Sequence, residues 1–155
     1  MVLFIMNRDE YFLSLALEQA KKALLEDEVP IGCVLVMNDE VIATGYNTRE
    51  KDHFITSHAE INAIREANTK LQSWRLSECT LYVTLEPCSM CASALQQARI
   101  KRVVYGSKDE KNGALGGLYD LFLIPKQNHY PLISFIENDE CKNILKEYFL
   151  KKRKN

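Results

Sequence analysis

The chain has 155 residues and a formal net charge of −1. Residues 1–155 are enough for a single domain with its own core, and the near-neutral balance excludes a globally basic nucleic-acid binder, leaving local patches for any such contact. No apolar run reaches membrane length, and five cysteines, an odd count, do not suit a disulfide framework.

Met1 to Met6 is apolar but too short for a signal peptide, and Asp9 and Glu10 follow closely. The expected setting is therefore intracellular, reducing and cytoplasmic. Residues 8–26 read as an amphipathic helix with Tyr11, Phe12, Leu15, Ala16, Ala20, Ala23 and Leu24 on the core side. Asn7 is the expected N-cap, with Glu10 three positions on. Val29-Pro30 ends the helix. Ile31 to Met37 is a β-rich apolar run, Asn38 to Glu40 a turn, and Val41 to Tyr46 a second run, which predicts an antiparallel hairpin. The first strand is apolar at nearly every position, so both its faces are expected to be covered. Cys33 reads as a small buried hydrophobe.

Asn47 to Ser57 is a polar loop of the kind that carries function. Ala59 to Asn68 is a predicted helix with Ile61, Ile64 and Ala67 or Asn68 in register, and 71–78 a connector. Cys79 to Leu85 is a strand, Cys88 to Ala98 a helix and Arg102 to Gly106 a strand. That order fits a βαβ unit with a right-handed crossover. Asn112 to Gly117 is glycine-rich but lacks the pattern of a nucleotide-phosphate cradle. Leu118 to Ile124 reads as a short helix stopped by Pro125, and Leu132 to Ile136 as a last strand. Asn138 to Lys152 reads as a terminal helix with Ile144, Leu145, Tyr148 and Phe149 on one side. A basic tail, 151–155, follows and is expected to be solvated and frayed, with contact to phosphates by Lys151 to Lys154 the alternative. The whole predicts a three-layer α/β/α fold around a mixed sheet of about five strands.

Two short stretches carry chemistry. Pro87-Cys88-Ser89-Met90-Cys91 sets two thiols three residues apart at a helix start, on one side of its first turn. The helix N-terminus also favours thiolate. Ser57-His58-Ala59-Glu60 places an imidazole two residues before a carboxylate. Zinc takes thiolate and imidazole ligands in tetrahedral array, and a catalytic site uses three protein ligands and leaves one position to water. His58, Cys88 and Cys91 fill such a set, for one zinc per chain. Glu60 is then the proton acceptor for a water whose pKa zinc lowers to ~7. On a regular helix, positions i and i+2 do not share a face, so His58 has to sit at or before the first turn. A closed structural site with His53, His129, Cys79 or Cys33 as fourth ligand is the competing arrangement. Cys141 reads as packing.

The H-x-E and P-C-x-x-C pair resembles the signature of the cytidine and deoxycytidylate deaminase superfamily. More narrowly the chain resembles the bacterial tRNA-specific adenosine deaminases, from about Tyr11 to Phe149. The matching stretches include Val29-Pro30-Ile31-Gly32, Gly45-Tyr46-Asn47, His58 to Ile61, Thr80 to Cys91, Val103 to Gly106 and Asn128-His129. The resemblance implies a cytidine-deaminase-like fold and His58, Cys88 and Cys91 as zinc ligands with Glu60 as proton shuttle. It implies hydrolysis of adenosine to inosine at the wobble position of a tRNA anticodon stem-loop by a homodimer. It also implies Asn47 as a contact to the target base, Asp109 and Lys111 near the anticodon-loop pocket, and Phe149 beside the substrate. On residue type alone, Asn47 is an Asn ending a strand in a turn, Asp109 and Lys111 belong to a solvated charged loop, and Phe149 is core. The chain departs from the family pattern at Phe54-Ile55, where Asp-Pro is usual, and in 131–138, which lacks the usual glycine. A deaminase of a free base, nucleoside or nucleotide is the rival within the same chemistry. A non-catalytic zinc-stabilised binding module and a C-x-x-C thiol oxidoreductase are further rivals, and neither has a use for Glu60.

Overall fold

The computed structural model describes residues 6–154, so Met1 to Ile5 of the apolar N-terminal stretch and Asn155 lie outside the described residues. Helix α1 (Arg8–Leu25) starts where Asn7 places it: the Asn7 side chain accepts from the Glu10 N–H at 2.9 Å and donates to the Glu10 carboxylate at 3.0 Å. The first bond is the N-cap bond; the second joins the two side chains, so the Asn7 backbone N–H is not part of the pair. Its buried side is Phe12, Leu13, Ala16, Leu17, Ala20 and Ala23. Tyr11 and Leu24, expected on that side, are exposed, and Leu13 and Leu17 take their places. The face is turned by the close seat of α1 on strand β1 (Gly32–Met37). A Cβ at Gly32 would lie 2.2 Å from the Ala20 nitrogen, so the strand meets the helix backbone through its small-residue side.

β1 pairs antiparallel with β2 (Glu40–Tyr46) through a two-residue turn in which Asn38 and Asp39 both take positive φ. That is the turn whose twist suits a hairpin. A bulge between Leu35 and Val36 shifts the register. Between Asn47 and Ser57 the chain forms one short helix, α2 (Arg49–Asp52), where sequence predicted only loop. Helix α3 (Ala59–Leu71) follows and runs three residues longer than its periodicity suggested. β3 (Thr80–Val83), α4 (Ser89–Gln97) and β4 (Arg102–Tyr105) form the βαβ unit, with β3 and β4 parallel. The expected helix at 118–124 is only a 3₁₀ turn, Leu121–Leu123, capped by the Asp120 side chain. β5 (Leu132–Phe135) adds parallel to β4. α5 (Asp139–Lys154) carries Lys151 to Lys154 inside the helix, so those residues are not a frayed tail. It buries Cys141 and Leu145, while Phe149 is exposed.

The sheet order is β2-β1-β3-β4-β5, mixed and five-stranded. Alternate strand residues face opposite layers, as the pleat requires. Cys33, Leu35, Leu81, Val83, Val103 and Tyr105 pack with Ala59, Ala63, Ala67 and Leu95 of α3 and α4. Val34, Val36, Tyr82 and Val104 pack with Phe12 and Leu13 of α1. Both faces of β1 are covered, as its continuous apolar run predicts. Among the described residues no helix is long and apolar enough to cross a membrane.

Candidate active site

The clustered residues come from two segments, one entering α3 after β2 and one entering α4 after β3. Gly45 of β2 lets α3 seat directly on the sheet: a Cβ there would lie 2.1 Å from the Ala59 carbonyl oxygen. His58 immediately precedes that contact. It is the N-cap of α3, with extended backbone at φ −75° and ψ 155°. That conformation resolves the difficulty of the H-x-E spacing. His58 leaves the helical screw before its first turn, while Glu60 lies in the turn and is buried. Cys88 is likewise the extended N-cap of α4, and Cys91 lies buried one turn on.

His58 Nδ1 lies 3.6 Å from Cys88 Sγ and 3.5 Å from Cys91 Sγ. Zinc bonds of about 2.3 Å to sulfur and 2.0–2.1 Å to nitrogen, opened to a tetrahedral angle, end about 3.6 Å apart. The two nitrogen–sulfur edges therefore have the lengths of a zinc site. All three ligand atoms lie within 4.8 Å of one another. Among the described residues no fourth His, Cys, Asp or Glu joins that cluster. His129 is engaged elsewhere, its Nε2 2.6 Å from the Ile100 carbonyl oxygen. His53 is exposed and forms the left-handed C-cap of α2. Cys33 and Cys79 are buried, as expected of core residues.

The electrostatics match that chemistry. The Cys91 thiol, hydrogen-bonded to Cys88 sulfur, pulls the Cys88 thiol down to about 4, and His58 adds to the effect against the cost of burial. Cys91 moves upward, as donor to Cys88 and as a buried group. His58 is raised by its hydrogen bond to Cys88. Two thiolates and a neutral imidazole would balance a dication, so a zinc held by this cluster would replace the protons these groups otherwise share. Burial pushes the Glu60 carboxyl up to about 7. Its charge adds to the upward shifts of His58 and Cys91, so the carboxylate stands near that cluster.

The other four candidate residues differ in kind. Asn47 is buried, its Nδ2 donating to the Val29 carbonyl at 3.2 Å and its Oδ1 accepting from the Arg49 N–H at 3.1 Å. It has the turn-forming role that residue type alone suggested. One amide hydrogen and one lone pair remain. Asp109 Oδ1 accepts from the Lys111 and Asn112 N–H groups at 3.0 and 3.1 Å, folding the loop that holds both Asp109 and Lys111. Lys111 is exposed. Phe149 is 44% exposed, its ring edge-on to Tyr148, so it is not core. The next turn of α5 carries Lys152, paired with Asp27 in the segment between α1 and β1. Phe54 and Ile55, at the family departure, are exposed in the turn that leads into His58. Sequence reasoning missed two buried carboxylates, Glu28 and Glu86. Their partners are backbone N–H groups, which leave no signature in a sequence.

Residues 6–107 match the family model for the cytidine and deoxycytidylate deaminase zinc-binding region. A tRNA-specific adenosine deaminase of Bacillus subtilis (strain 168) is 43% identical over 150 residues, covering 96% of this chain and 93% of that protein. Among solved structures, a tRNA:A34 deaminase that edits A to I at the wobble position of transfer RNA superposes with TM-score 0.81. It is 43% identical and the match covers 87% of this chain and 99% of that one. A guanine deaminase from Bacillus subtilis superposes with TM-score 0.63 at 30% identity, covering 97% and 96% of the two chains.

Proposed function

The chain belongs to the cytidine and deoxycytidylate deaminase family, among the tRNA-specific adenosine deaminases, and from that premise we propose that it hydrolyses adenosine to inosine at the wobble position of a tRNA anticodon, releasing ammonia. The observation that carries this reading is one arrangement inside one relationship. His58, Cys88 and Cys91 converge beside a buried carboxylate, in a chain 43% identical to a tRNA-specific adenosine deaminase over nearly its whole length.

In this reading His58 Nδ1 and the sulfurs of Cys88 and Cys91 hold one zinc. Bound there, zinc supplies the Lewis acid that brings water toward hydroxide near neutral pH. Glu60 takes the proton from the attacking water and delivers it to N1 of the adenine ring. It then passes the second proton to the departing N6 amine, so that adenosine and water become inosine and ammonia. Its burial supports this work, because removal from water favours the protonated carboxyl and so lets it give back a proton as well as take one. Asn47 offers its remaining N–H and lone pair to the flipped base. Asp109 and Lys111 form the wall toward the anticodon loop, and Phe149 lies beside the substrate. The enzyme works in the cytoplasm as a homodimer, a reading that rests on the family resemblance.

A second reading, deamination of a free purine such as guanine, draws on the 30% identity to a guanine deaminase. One experiment separates them. The protein is incubated with an anticodon stem-loop bearing a wobble adenine and, separately, with free adenosine, cytosine and guanine. Inosine in the RNA with the free compounds untouched supports wobble editing. Turnover of a free compound with none in RNA replaces that reading by the second.

A further inference from the structure

Two buried carboxylates stand outside the reaction just described. Glu28 and Glu86 are 1% and 2% exposed, although glutamate is almost never fully buried unless it is paired. Glu86 Oε1 accepts from the Asp109 N–H at 3.1 Å. Its Oε2 accepts from the Leu115 and Gly117 N–H groups at 2.8 and 2.9 Å. The glycines of this loop make room for that carboxylate. A Cβ at Gly113 would lie 2.3 Å from Glu86 Oε2, and one at Gly117 would lie 2.6 Å from Oε1. The loop that failed as a phosphate cradle thus closes around an anion of its own chain. It also touches the zinc-ligand turn, since the Ala114 N–H donates to the Pro87 carbonyl at 2.9 Å and Gly113 bridges Cys88.

Glu28 does the same on the other side. Its Oε1 and Oε2 accept from the Glu50 and Lys51 N–H groups at 3.0 and 2.8 Å, fixing α2 between Asn47 and His58. The first loop leaves β4 and the second leaves β2, and the sheet order places them on opposite sides of the β1–β3 pair. Between them lie the ligand segments. Charge-assisted bonds from one carboxylate to several backbone N–H groups fix a loop's shape without reaching the substrate.

We infer that Glu28 and Glu86 are positioning residues, each clamping one of the two loops, 48–53 and 109–117, that frame the site in the shape that receives the anticodon loop. The substrate part of this inference rests on the proposed function; the clamping part does not. Preorganised loops bind without paying to be ordered at the moment of binding.

The test uses Glu86→Gln and Glu28→Gln in the full-length, zinc-loaded protein. Each amide turns at least one N–H toward a backbone N–H and breaks part of the clamp, while keeping side-chain volume. Hydrogen exchange read by mass spectrometry is expected to speed up about tenfold or more across 108–118 in Glu86→Gln, and across 48–54 in Glu28→Gln. Each variant leaves the other loop at its wild-type rate. With the wobble-adenine stem-loop, KM rises about tenfold while kcat stays within about twofold and one zinc per chain is retained. Unchanged exchange in the facing loop overturns the clamp. Faster exchange with unchanged KM reduces both residues to structural roles and overturns the positioning claim, as does loss of zinc. If the wild-type protein leaves the stem-loop adenine intact, the proposed function fails, and exchange alone then decides the clamp.

Discussion

Gly45 sits where the sheet meets the start of α3, and replacing it by alanine should damage the site through the backbone alone. The added Cβ would lie 2.1 Å from the Ala59 carbonyl oxygen and 2.8 Å from the Ala63 nitrogen. Restoring ordinary contact, about 3.4 Å, moves the first turn of α3 by about 1.3 Å. His58 and Glu60 travel with that turn, while Cys88 and Cys91 stay on α4. A displacement of this size costs about 100-fold in rate when it misplaces catalytic groups, and it stretches an Nδ1–Sγ edge that now measures 3.5–3.6 Å. Overpacking should also cost about 2 kcal/mol, or about 4–8 °C in Tm for a domain of this size. Gly32→Ala is the control. It meets α1 backbone as tightly, at 2.2 Å from the Ala20 nitrogen, and α1 bears no ligand. Zinc content, kcat and Tm are measured for both variants. Gly45→Ala should lose activity per folded molecule and bind zinc more weakly, and Gly32→Ala should lose mainly Tm. Equal activity per folded molecule in the two variants would refute the idea that this glycine positions the site.

Asp9 links α1 to the sheet, receiving two hydrogen bonds from Arg102 at 2.9 Å each and one from the Tyr82 hydroxyl at 2.7 Å. The Arg102 hydrogen bond holds its carboxyl below the usual carboxylate value. That stabilisation is full above the unfolded-state pKa of ~3.9 and is lost as pH falls through the lower folded value. Asp9→Asn should therefore cost about 1–2 kcal/mol at neutral pH, and urea titrations should show the gap closing in acid. In metal-stripped protein Cys88, with its thiol lowered to about 4, should be alkylated at pH 6, while buried Cys33 and Cys141, both raised by burial, resist. Adding zinc should block that alkylation, as read by mass spectrometry of the modified peptides.

The clustering of His58, Cys88 and Cys91 was legible because each half is a contiguous motif at a helix start. Asn7 is the N-cap that its residue type predicts, and His58 and Cys88 stand at the helix starts where their motifs place them. β1 announced its double burial by its unbroken apolar run. The face of α1 was misread because Ala16 and Ala20, small enough to accept Gly32, set the approach, and the large Tyr11 and Leu24 fall to its edges. Nothing in Ile124 or its neighbours announces that 118–124 stays a 3₁₀ turn; the Asp120 cap and the loop around Glu86 decide it. Glu28 and Glu86 were invisible for a related reason. Glutamate is expected outside, and what draws these two inside is backbone geometry set by residues 20 or more positions away.

Glu60→Ala gives the most direct test of the catalytic assignment. Zinc content and inosine formation in a wobble-adenine stem-loop are measured on the same purified sample. One zinc per chain with inosine formation abolished is the predicted result, because the proposed mechanism assigns the metal to His58, Cys88 and Cys91 and the proton transfers to Glu60. Loss of zinc with surviving turnover would make Glu60 a ligand or a bystander and contradict the mechanism.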